Sequence, residues 1–213
     1  MTLQNRRVLI SGASRGLGKS LASVYKDVGA EVIELTRREC DLNNSADIYS
    51  FLESVGEVDV LVNCAGVFPV NELGDITPEE YNECIQVNLT APFILTQECS
   101  LGMVERGWGR IINIASSSAY GGGPKTSIYC ASKHALLGLS RSLHAELKPH
   151  GVRVICVSPG TIKTDMGRDV EKLGQTYDTF MDPDEVARYI VYNTELDGNM
   201  VSEEIRLNRM FIQ

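Results

Sequence analysis

The segment SIYCASK places a tyrosine and a lysine four residues apart, at Tyr129 and Lys133. It opens a run over residues 127–148 whose pattern predicts a helix, so the two side chains share one face. A free phenol has a pKa of about 10, and a neighbouring ammonium is expected to lower that pKa into a range useful for proton transfer. The pair is either acid–base machinery or an ordinary helical pair, and spacing alone does not separate the two.

Serines follow an apolar run that predicts a strand, just before this helix. Ser116 is the predicted donor that holds a substrate oxygen as negative charge develops on it. Ser117 and Ser118 fit a polar turn equally well, so both interpretations stay open for them.

A glycine-rich turn, SGASRGLG over residues 11–18, follows the first predicted strand and opens a predicted helix over 17–29. Glycines at 12, 16 and 18 would let the backbone approach a pyrophosphate at a helix N-terminus. Their spacing differs from the commoner Gly-x-Gly-x-x-Gly fingerprint, and a tight packing turn is the alternative.

The end of the second predicted strand bears on the choice of dinucleotide. NAD-binding folds present a carboxylate there, whereas an arginine accommodates the 2′-phosphate of NADP. Here Thr36 takes the carboxylate's place and is followed by Arg37 and Arg38, with Arg15 on the glycine-rich turn. This favours NADP(H) over NAD(H), because guanidinium groups suit a phosphate dianion. Solvated surface arginines are the alternative.

Apolar runs alternate with helical segments along the whole chain. Such alternation predicts an α/β fold, a doubly wound, Rossmann-like parallel sheet in a single domain spanning residues 1–213, with its ligand crevice at the carboxyl ends of the strands. TPEE (77–80) and DPDE (182–185) each predict a helix start, with a cap, a proline and a glutamate. The predicted strands are 7–11, 31–35, 58–66, 110–116 and 152–160.

Composition narrows the class of protein. The 213 residues carry 20 basic and 28 acidic side chains, a net charge of −8, which disfavours general binding to nucleic acid or anionic membranes. The six cysteines form no CxxC pair, and no apolar run has the length of a signal or membrane segment, so we expect a soluble, cytoplasmic protein with reduced thiols. The three histidines, His134, His144 and His150, lack metal-ligand spacing, and no metal is expected.

Together these residues resemble the short-chain dehydrogenase/reductase family over nearly the whole chain. The motifs that carry the resemblance are SGASRGLG, NCAG (63–66), VNLT (87–90), Ser116, YCASK (129–133) and PGTIKT (159–164). The resemblance implies Tyr129 as catalytic acid or base, Lys133 as the residue that lowers its pKa and binds the nicotinamide ribose, and Ser116 as the substrate-orienting hydroxyl. It also implies Asn88 as a fourth catalytic residue, which holds a water linking Lys133 to solvent.

The expected function is an NADP(H)-dependent oxidoreductase that interconverts a small-molecule carbonyl and alcohol by hydride transfer. A catalytically silent NADP(H)-binding sensor or scaffold, and an epimerase on the same fold, are the alternatives. The resemblance also implies a homodimer or homotetramer that pairs the helix after Asn88 and the Tyr129 helix. The expected cofactor-binding residues are Gly12, Ser14, Arg15, Gly16, Leu17, Gly18, Arg37, Asp41, Leu42, Asn63, Ala65, Gly66, Tyr129, Lys133, Pro159, Gly160, Ile162 and Thr164.

The chain departs from the family's pattern in three places. Cys64 replaces an asparagine that stabilises the central sheet, so altered stability is expected. Between Arg37 and Asp41 the family has a further helix and strand lead-in, and the shortening predicts a more open adenine pocket. The covering stretch over residues 166–181 is short and polar, which predicts an accessible site. Separately, Pro92 is expected to disturb the helix that contains it.

Overall fold

The computed structural model describes residues 3–210, and it contains one parallel sheet of six strands in the order β2-β1-β3-β4-β5-β6. Neighbouring strands pair in parallel throughout. The predicted doubly wound α/β architecture is confirmed. The strands are β1 (Arg7–Ser11), β2 (Glu31–Leu35), β3 (Val60–Asn63), β4 (Gly109–Ile114), β5 (Val152–Pro159) and β6 (Glu204–Leu207).

Helices cover both faces of this sheet. They are α1 (Gly16–Asp27), α2 (Ser45–Val55), α3 (Pro78–Ile85), α4 (Ala91–Glu105), α5 (Ser127–Leu147), α6 (Asp165–Glu171) and α7 (Pro183–Glu195). On one face, Leu21 of α1 and Ile190 of α7 join a core with Ile10 of β1. On the other face, Leu95 of α4 packs in a core with Leu61 of β3. Two covered faces explain why the central strands are almost wholly apolar.

Both predicted helix starts are confirmed by their caps. The Thr77 hydroxyl accepts a bond from the Glu80 N–H at 3.1 Å, while the Glu80 carboxylate accepts one from the Thr77 N–H at 3.0 Å. The Asp182 carboxylate accepts bonds from two backbone N–H groups at the start of α7. In each case a proline follows the cap, at a position where its missing N–H leaves no helical bond unmade.

The expected disturbance around Pro92 is a π-helical turn over Gln86–Thr90, between α3 and α4. Proline has no N–H to donate to the carbonyl four residues earlier, and the Ala91 N–H bonds the Gln86 carbonyl five residues back. This wider turn carries Asn88, which is completely buried.

β6 and α6 were not predicted from the sequence, and some predicted elements ended too far along the chain. The predicted third strand, 58–66, shortens to four residues, because the chain turns after Asn63 to form the cleft wall. The short stretch after Arg37 leads directly through α2 to β3, so β2 lies at one edge of the sheet.

All six cysteines are free thiols, and five of them are buried at less than 9% exposure: Cys40, Cys84, Cys99, Cys130 and Cys156. Within residues 3–210, none of the helices combines the length and the apolar character that crossing a bilayer requires.

Candidate active site

A cleft of about 1070 Å³ lies at the carboxyl ends of the strands, where the fold predicts a ligand crevice. Its wall contains most of the residues expected to bind a dinucleotide, together with three of the four expected catalytic residues. Those wall residues are Gly12, Ser14, Arg15, Gly16, Leu17, Gly18, Arg37, Asp41, Leu42, Ala65, Gly66, Ser116, Tyr129, Lys133, Pro159, Gly160, Ile162 and Thr164.

The glycine-rich turn requires glycine at two of its positions for steric reasons. Gly12 has φ +73°, and a Cβ there would lie 2.8 Å from the Cα of Ala65. A Cβ on Gly18 would lie 2.2 Å from the carbonyl oxygen of Gly12. No side chain could fit in either place without moving backbone, so the turn brings β1, α1 and the loop after β3 into direct contact.

The N-terminus of α1 opens onto the cleft. Arg15 is its N-cap residue and, within the described chain, makes no side-chain cap. The first N–H groups of a helix need acceptors and attract anions. The glycine-rich turn, which exposes backbone, and the N-terminus of α1 therefore fit the pyrophosphate of a dinucleotide.

The two cleft-lining arginines already face carboxylates, at exposed positions. An Arg15 Nη1 lies 3.1 Å from Asp165 Oδ2, and Arg37 lies 4.0 Å from both Asp41 and Glu83. The Arg37 side chain is 79% exposed, and pairs of this kind contribute only about 0–1 kcal/mol, so they leave the guanidinium free to exchange partners. Arg38 does not line the cleft.

The carboxylate of Glu39 also lies at the end of β2, although Glu39 is not at the sequence position where NAD-binding folds present a carboxylate. Glu39 accepts hydrogen bonds from the hydroxyl and, at 3.2 Å, from the N–H of Thr36. The bond from Thr36 lowers the pKa of Glu39, so this carboxylate is ionised at neutral pH. Glu39 was not singled out from the sequence because it lies four residues beyond the end of β2.

Ser116, Tyr129 and Lys133 converge on one part of the cleft. Ser116 lies near enough to Tyr129 to influence the pKa of its phenol, and the Ser116 hydroxyl oxygen accepts the Ser118 N–H at 3.1 Å. Lys133 Nζ donates to the Ile114 carbonyl at 2.9 Å and lies 5.7 Å from the centroid of the Tyr129 ring. The i, i+4 pair on α5 and the end of β4 are thus brought together as predicted.

The expected lowering of the Tyr129 pKa by Lys133 is not found in this structure. Burial raises the pKa of Tyr129 to about 12, and the nearby Ser116 side chain only partly opposes this rise. Burial also lowers the pKa of Lys133 to about 8. Desolvation exceeds the attraction between the pair, because Tyr129 and Lys133 are only 7% and 4% exposed and the ammonium is bound to a backbone carbonyl.

Asn88 lies behind this pair and not on the cleft wall. Its amide oxygen accepts the Val67 N–H at 2.9 Å, and its amide nitrogen donates to the Val67 carbonyl at 3.0 Å and to Ser132 Oγ at 3.1 Å. A Cβ on Gly66 would lie 3.3 Å from the Asn88 amide oxygen and 3.7 Å from Lys133 Nζ. Asn88 therefore fixes the loop after β3 against α5, next to Lys133.

The side chain of Asn63 is buried in the sheet and does not line the cleft, and its expected part in binding the dinucleotide stays a prediction. Its amide nitrogen donates to Asn113 at 2.8 Å and to Thr96 at 3.3 Å. Cys64, in contrast, does line the cleft, and its N–H donates to Ser11 Oγ at 3.1 Å. Burial raises the pKa of the Cys64 thiol to about 12, so the thiol is neutral.

A second group of cleft-wall residues was not predicted from the sequence. Phe68 packs edge-on against the Tyr129 ring, with centroids 4.6 Å apart. The glycines at 121–123 and Lys125 line the same cleft, as do residues on and after α6. Three successive glycines were a visible signal, because they leave space where side chains would otherwise stand. Ser117 and Ser118 form a short 3-10 turn and also line the cleft.

The histidines take structural positions within the described chain. His134 Nδ1 lies 2.8 Å from the Cys130 carbonyl and His144 Nδ1 lies 2.9 Å from the Val154 carbonyl. Among residues 3–210, no three His, Cys, Asp or Glu side chains come together as a metal site.

Comparison with known proteins places this architecture in a family. The model of the short chain dehydrogenase family matches residues 39–173. D-xylose 1-dehydrogenase of Caulobacter vibrioides is 35% identical over 184 residues, which cover 76% of this chain and 74% of the relative. The 3-oxoacyl-[acyl-carrier-protein] reductase FabG of Rickettsia prowazekii is 32% identical over 182 residues, covering 77% and 76%.

Solved structures share the fold over almost its full length. A 4-hydroxyisoleucine dehydrogenase in complex with NADH is 26% identical, with a TM-score of 0.86 over 96% of this chain and 98% of the other. A protein assigned as an NAD(P)-dependent gluconate 5-dehydrogenase from Beutenbergia cavernae, solved with NADP at low occupancy, is 26% identical with a TM-score of 0.86 over 97% and 96%. This chain belongs to the short-chain dehydrogenase/reductase family of oxidoreductases.

Proposed function

We propose that this protein is an NADP(H)-dependent oxidoreductase that interconverts a carbonyl and an alcohol, with Tyr129 as the catalytic acid or base. One observation carries the proposal. Ser116, Tyr129 and Lys133 come together in the same cleft as a glycine-rich turn and an open helix N-terminus. The three side chains suit proton transfer at a carbonyl. The glycine-rich turn and the open helix N-terminus suit a dinucleotide phosphate.

The residues of the cleft fit the dinucleotide. Gly12 and Gly18 hold bare backbone beside the start of α1, Arg15 and Arg37 offer guanidinium groups, and Lys133 reaches the cleft at its Tyr129 end. When bound, a reduced nicotinamide supplies the hydride for carbonyl reduction. We propose that Lys133 also binds the nicotinamide ribose and that Asn88, through its bonds to the Val67 backbone, keeps the adjoining wall in place.

The side chains at the Tyr129 end are suited to carbonyl reduction. A phenol with a pKa of about 12 is protonated at neutral pH and can donate its proton to the oxygen of a carbonyl. The Ser116 hydroxyl lies beside it and can donate a second bond to the same oxygen, which stabilises the charge that develops there. In the alcohol-oxidation direction, the same phenol must lose its proton, and the neighbouring Lys133 ammonium favours the phenolate.

The direct experiment is NADPH oxidation against a panel of aldehydes and ketones, followed at the nicotinamide absorbance. Turnover of any member supports an oxidoreductase. NADPH binding without turnover of any member would contradict the proposal and favour a silent sensor. Conversion of one sugar or nucleoside isomer into another, with no net nucleotide oxidation, would favour an epimerase.

Arg37 is the residue that we expect to distinguish NADPH from NADH. Its guanidinium lies on the cleft wall beside the end of β2, and only NADPH carries a 2′-phosphate there. Hydrogen bonds to charged groups contribute about 1.5–3 kcal/mol, so Arg37→Ala should raise the KM for NADPH about 10- to 100-fold. The KM for NADH should change little.

Arg38→Ala is the matched control, because Arg38 is adjacent in sequence but is not on the cleft wall. Equal losses for the two nucleotides in Arg37→Ala would overturn the preference for NADP. A wild-type protein that favours NADH would do the same, and it would direct attention to Glu39, whose ionised carboxylate lies beside Thr36.

We also propose a homodimer or homotetramer formed through α4 and α5. The outer face of α4 exposes apolar side chains, with Phe93 at 42% and Leu101 at 66% exposure. Light scattering after size exclusion should give two or four times the chain mass of 23.4 kDa. A monomeric mass would contradict this assembly.

A further inference from the structure

The cleft is more basic than the chain as a whole. The chain has a net charge of −8, whereas the cleft wall carries five basic and three acidic side chains. The three acids are those beside the arginines at the dinucleotide end, Asp165 with Arg15, and Asp41 and Glu83 with Arg37. The other three wall cations are Lys125, Lys133 and Lys172.

Lys125 has an unusual backbone conformation for its residue type. Its φ is +63°, in the left-handed region that favours glycine, and it follows Gly121–Gly123 and Pro124. Its carbonyl accepts the Asn71 N–H at 2.9 Å, which holds the segment in place. A non-glycine residue in a sparsely populated region costs about 1–3 kcal/mol. Glycine would fit this backbone better, so the presence of lysine points to a use for the side chain.

The ammonium of Lys125 has a partner that is easily replaced. Nζ lies 2.8 Å from Glu72 Oε1, and the two side chains are 47% and 65% exposed. Exposed pairs of this kind contribute about 0–1 kcal/mol. Lys125 lines the cleft and Glu72 does not. An anion that enters the cleft can therefore compete with Glu72 for the ammonium at little cost.

Other residues that line the cleft indicate what kind of molecule could bind near Lys125. Phe68 covers the Tyr129 ring edge-on, and Val170 and Leu173 line the same cleft from the covering segment. Lys172 lies beside Leu173 on that segment, with Nζ 2.7 Å from Asp169, another exposed pair. Apolar side chains and two lysines thus line the same cleft as Tyr129.

We infer that the substrate is an organic anion, a carbonyl or alcohol compound that also carries a carboxylate or phosphate, and that Lys125 binds this group in place of Glu72. The inference rests on the proposed oxidoreductase function and adds the chemical class of the substrate. Glu72 then acts as an exchangeable partner that occupies the ammonium until the anion arrives.

Calorimetric titration of the NADPH-saturated protein tests this site with three probes: benzoate, phenyl phosphate and neutral benzamide. At least one of the two anions should bind five times or more tightly than benzamide, and comparison of the two anions identifies the preferred group. Lys125→Gly, which suits the positive φ, should reduce anion affinity at least fivefold. Glu72→Gln should increase it about twofold or more, because it frees the ammonium. Lys148→Gln is the control, since Lys148 is exposed and off the cleft wall.

Opposite responses to the two substitutions exclude a merely structural role, because damage to the loop would weaken binding in both. Equal affinity for anions and benzamide, no measurable binding of any probe, or unchanged anion affinity in both variants would overturn the inference. The same probe titrations, repeated without NADPH, measure the anion site independently of the cofactor and so separate the two proposals. Failure of the protein to bind NADPH contradicts the proposed function. The preference for anions over benzamide, and its change in Lys125→Gly and Glu72→Gln, test the anion site by itself.

Discussion

Replacement of Tyr129 by phenylalanine is expected to reduce kcat by about 10²- to 10⁴-fold, the usual contribution of a positioned general acid. The substitution removes one hydroxyl from a ring that is 7% exposed and packed edge-on against Phe68, so the fold should be retained. NADPH affinity should remain nearly unchanged. Steady-state NADPH oxidation measures the first quantity, and a fluorescence titration of NADPH measures the second.

Tyr120→Phe provides a matched control for this experiment. Tyr120 lies just after the serine turn, but its hydroxyl donates to Glu204 at 2.8 Å and it does not line the cleft. The control should keep most of its activity. If Tyr129→Phe also retained activity within tenfold of the wild type, the assignment of the proton donor would be wrong.

Lys133→Met should reduce kcat/KM at least about 100-fold, because it removes the charge beside Tyr129 and the proposed ribose ligand. Its effect on stability should depend on pH. The unfolded chain keeps the Lys133 proton up to its ordinary pKa of 10.5, whereas burial lowers the folded-state pKa to about 8. Between these values the unfolded state binds more protons, so the Lys133 contribution to the free energy of unfolding increases as pH rises.

The stability of the wild type minus that of Lys133→Met should therefore increase by about 3 kcal/mol between pH 7 and pH 10.5. The difference between the two proteins is the quantity to measure, because groups such as Cys64, with a raised pKa, titrate in the opposite sense in both. Urea denaturation of both proteins at the two pH values gives this difference in the free energy of unfolding. Lys148→Met is the exposed control, and a pH-independent difference for Lys133→Met would show that Lys133 is not buried as an ammonium.

Local patterns predicted those parts of the fold that depend on neighbouring residues. The first two strands were placed correctly, and both proline-containing helix starts were recognised from their caps. The strand Glu204–Leu207 was missed because it is short and its outward side chains are charged, so nothing in EIRL distinguishes it from a surface loop. Only its pairing with β5 defines it.

Those parts of the site that depend on helix spacing and on where strands end could be predicted from the sequence. The i, i+4 spacing placed Tyr129 and Lys133 together, and the end of β4 brought Ser116 to them. Their pKa values were not predictable, because these depend on burial by residues far away in the sequence. The same limit applies to Asn63, whose direction into the sheet is decided by Asn113 on the neighbouring strand. Lys125 escaped notice because a left-handed φ at lysine has no sequence signature.

The position of β2 at the edge of the sheet has a consequence for aggregation. An unpaired strand edge offers free N–H and C=O groups to other molecules, and β-sheet proteins commonly protect such edges with charge. In β2 the sequence EVIEL places glutamates at 31 and 34, where they pair with Arg7 and Lys26. These two carboxylates place charge on the edge strand, and they discourage two copies of the chain from joining sheet to sheet.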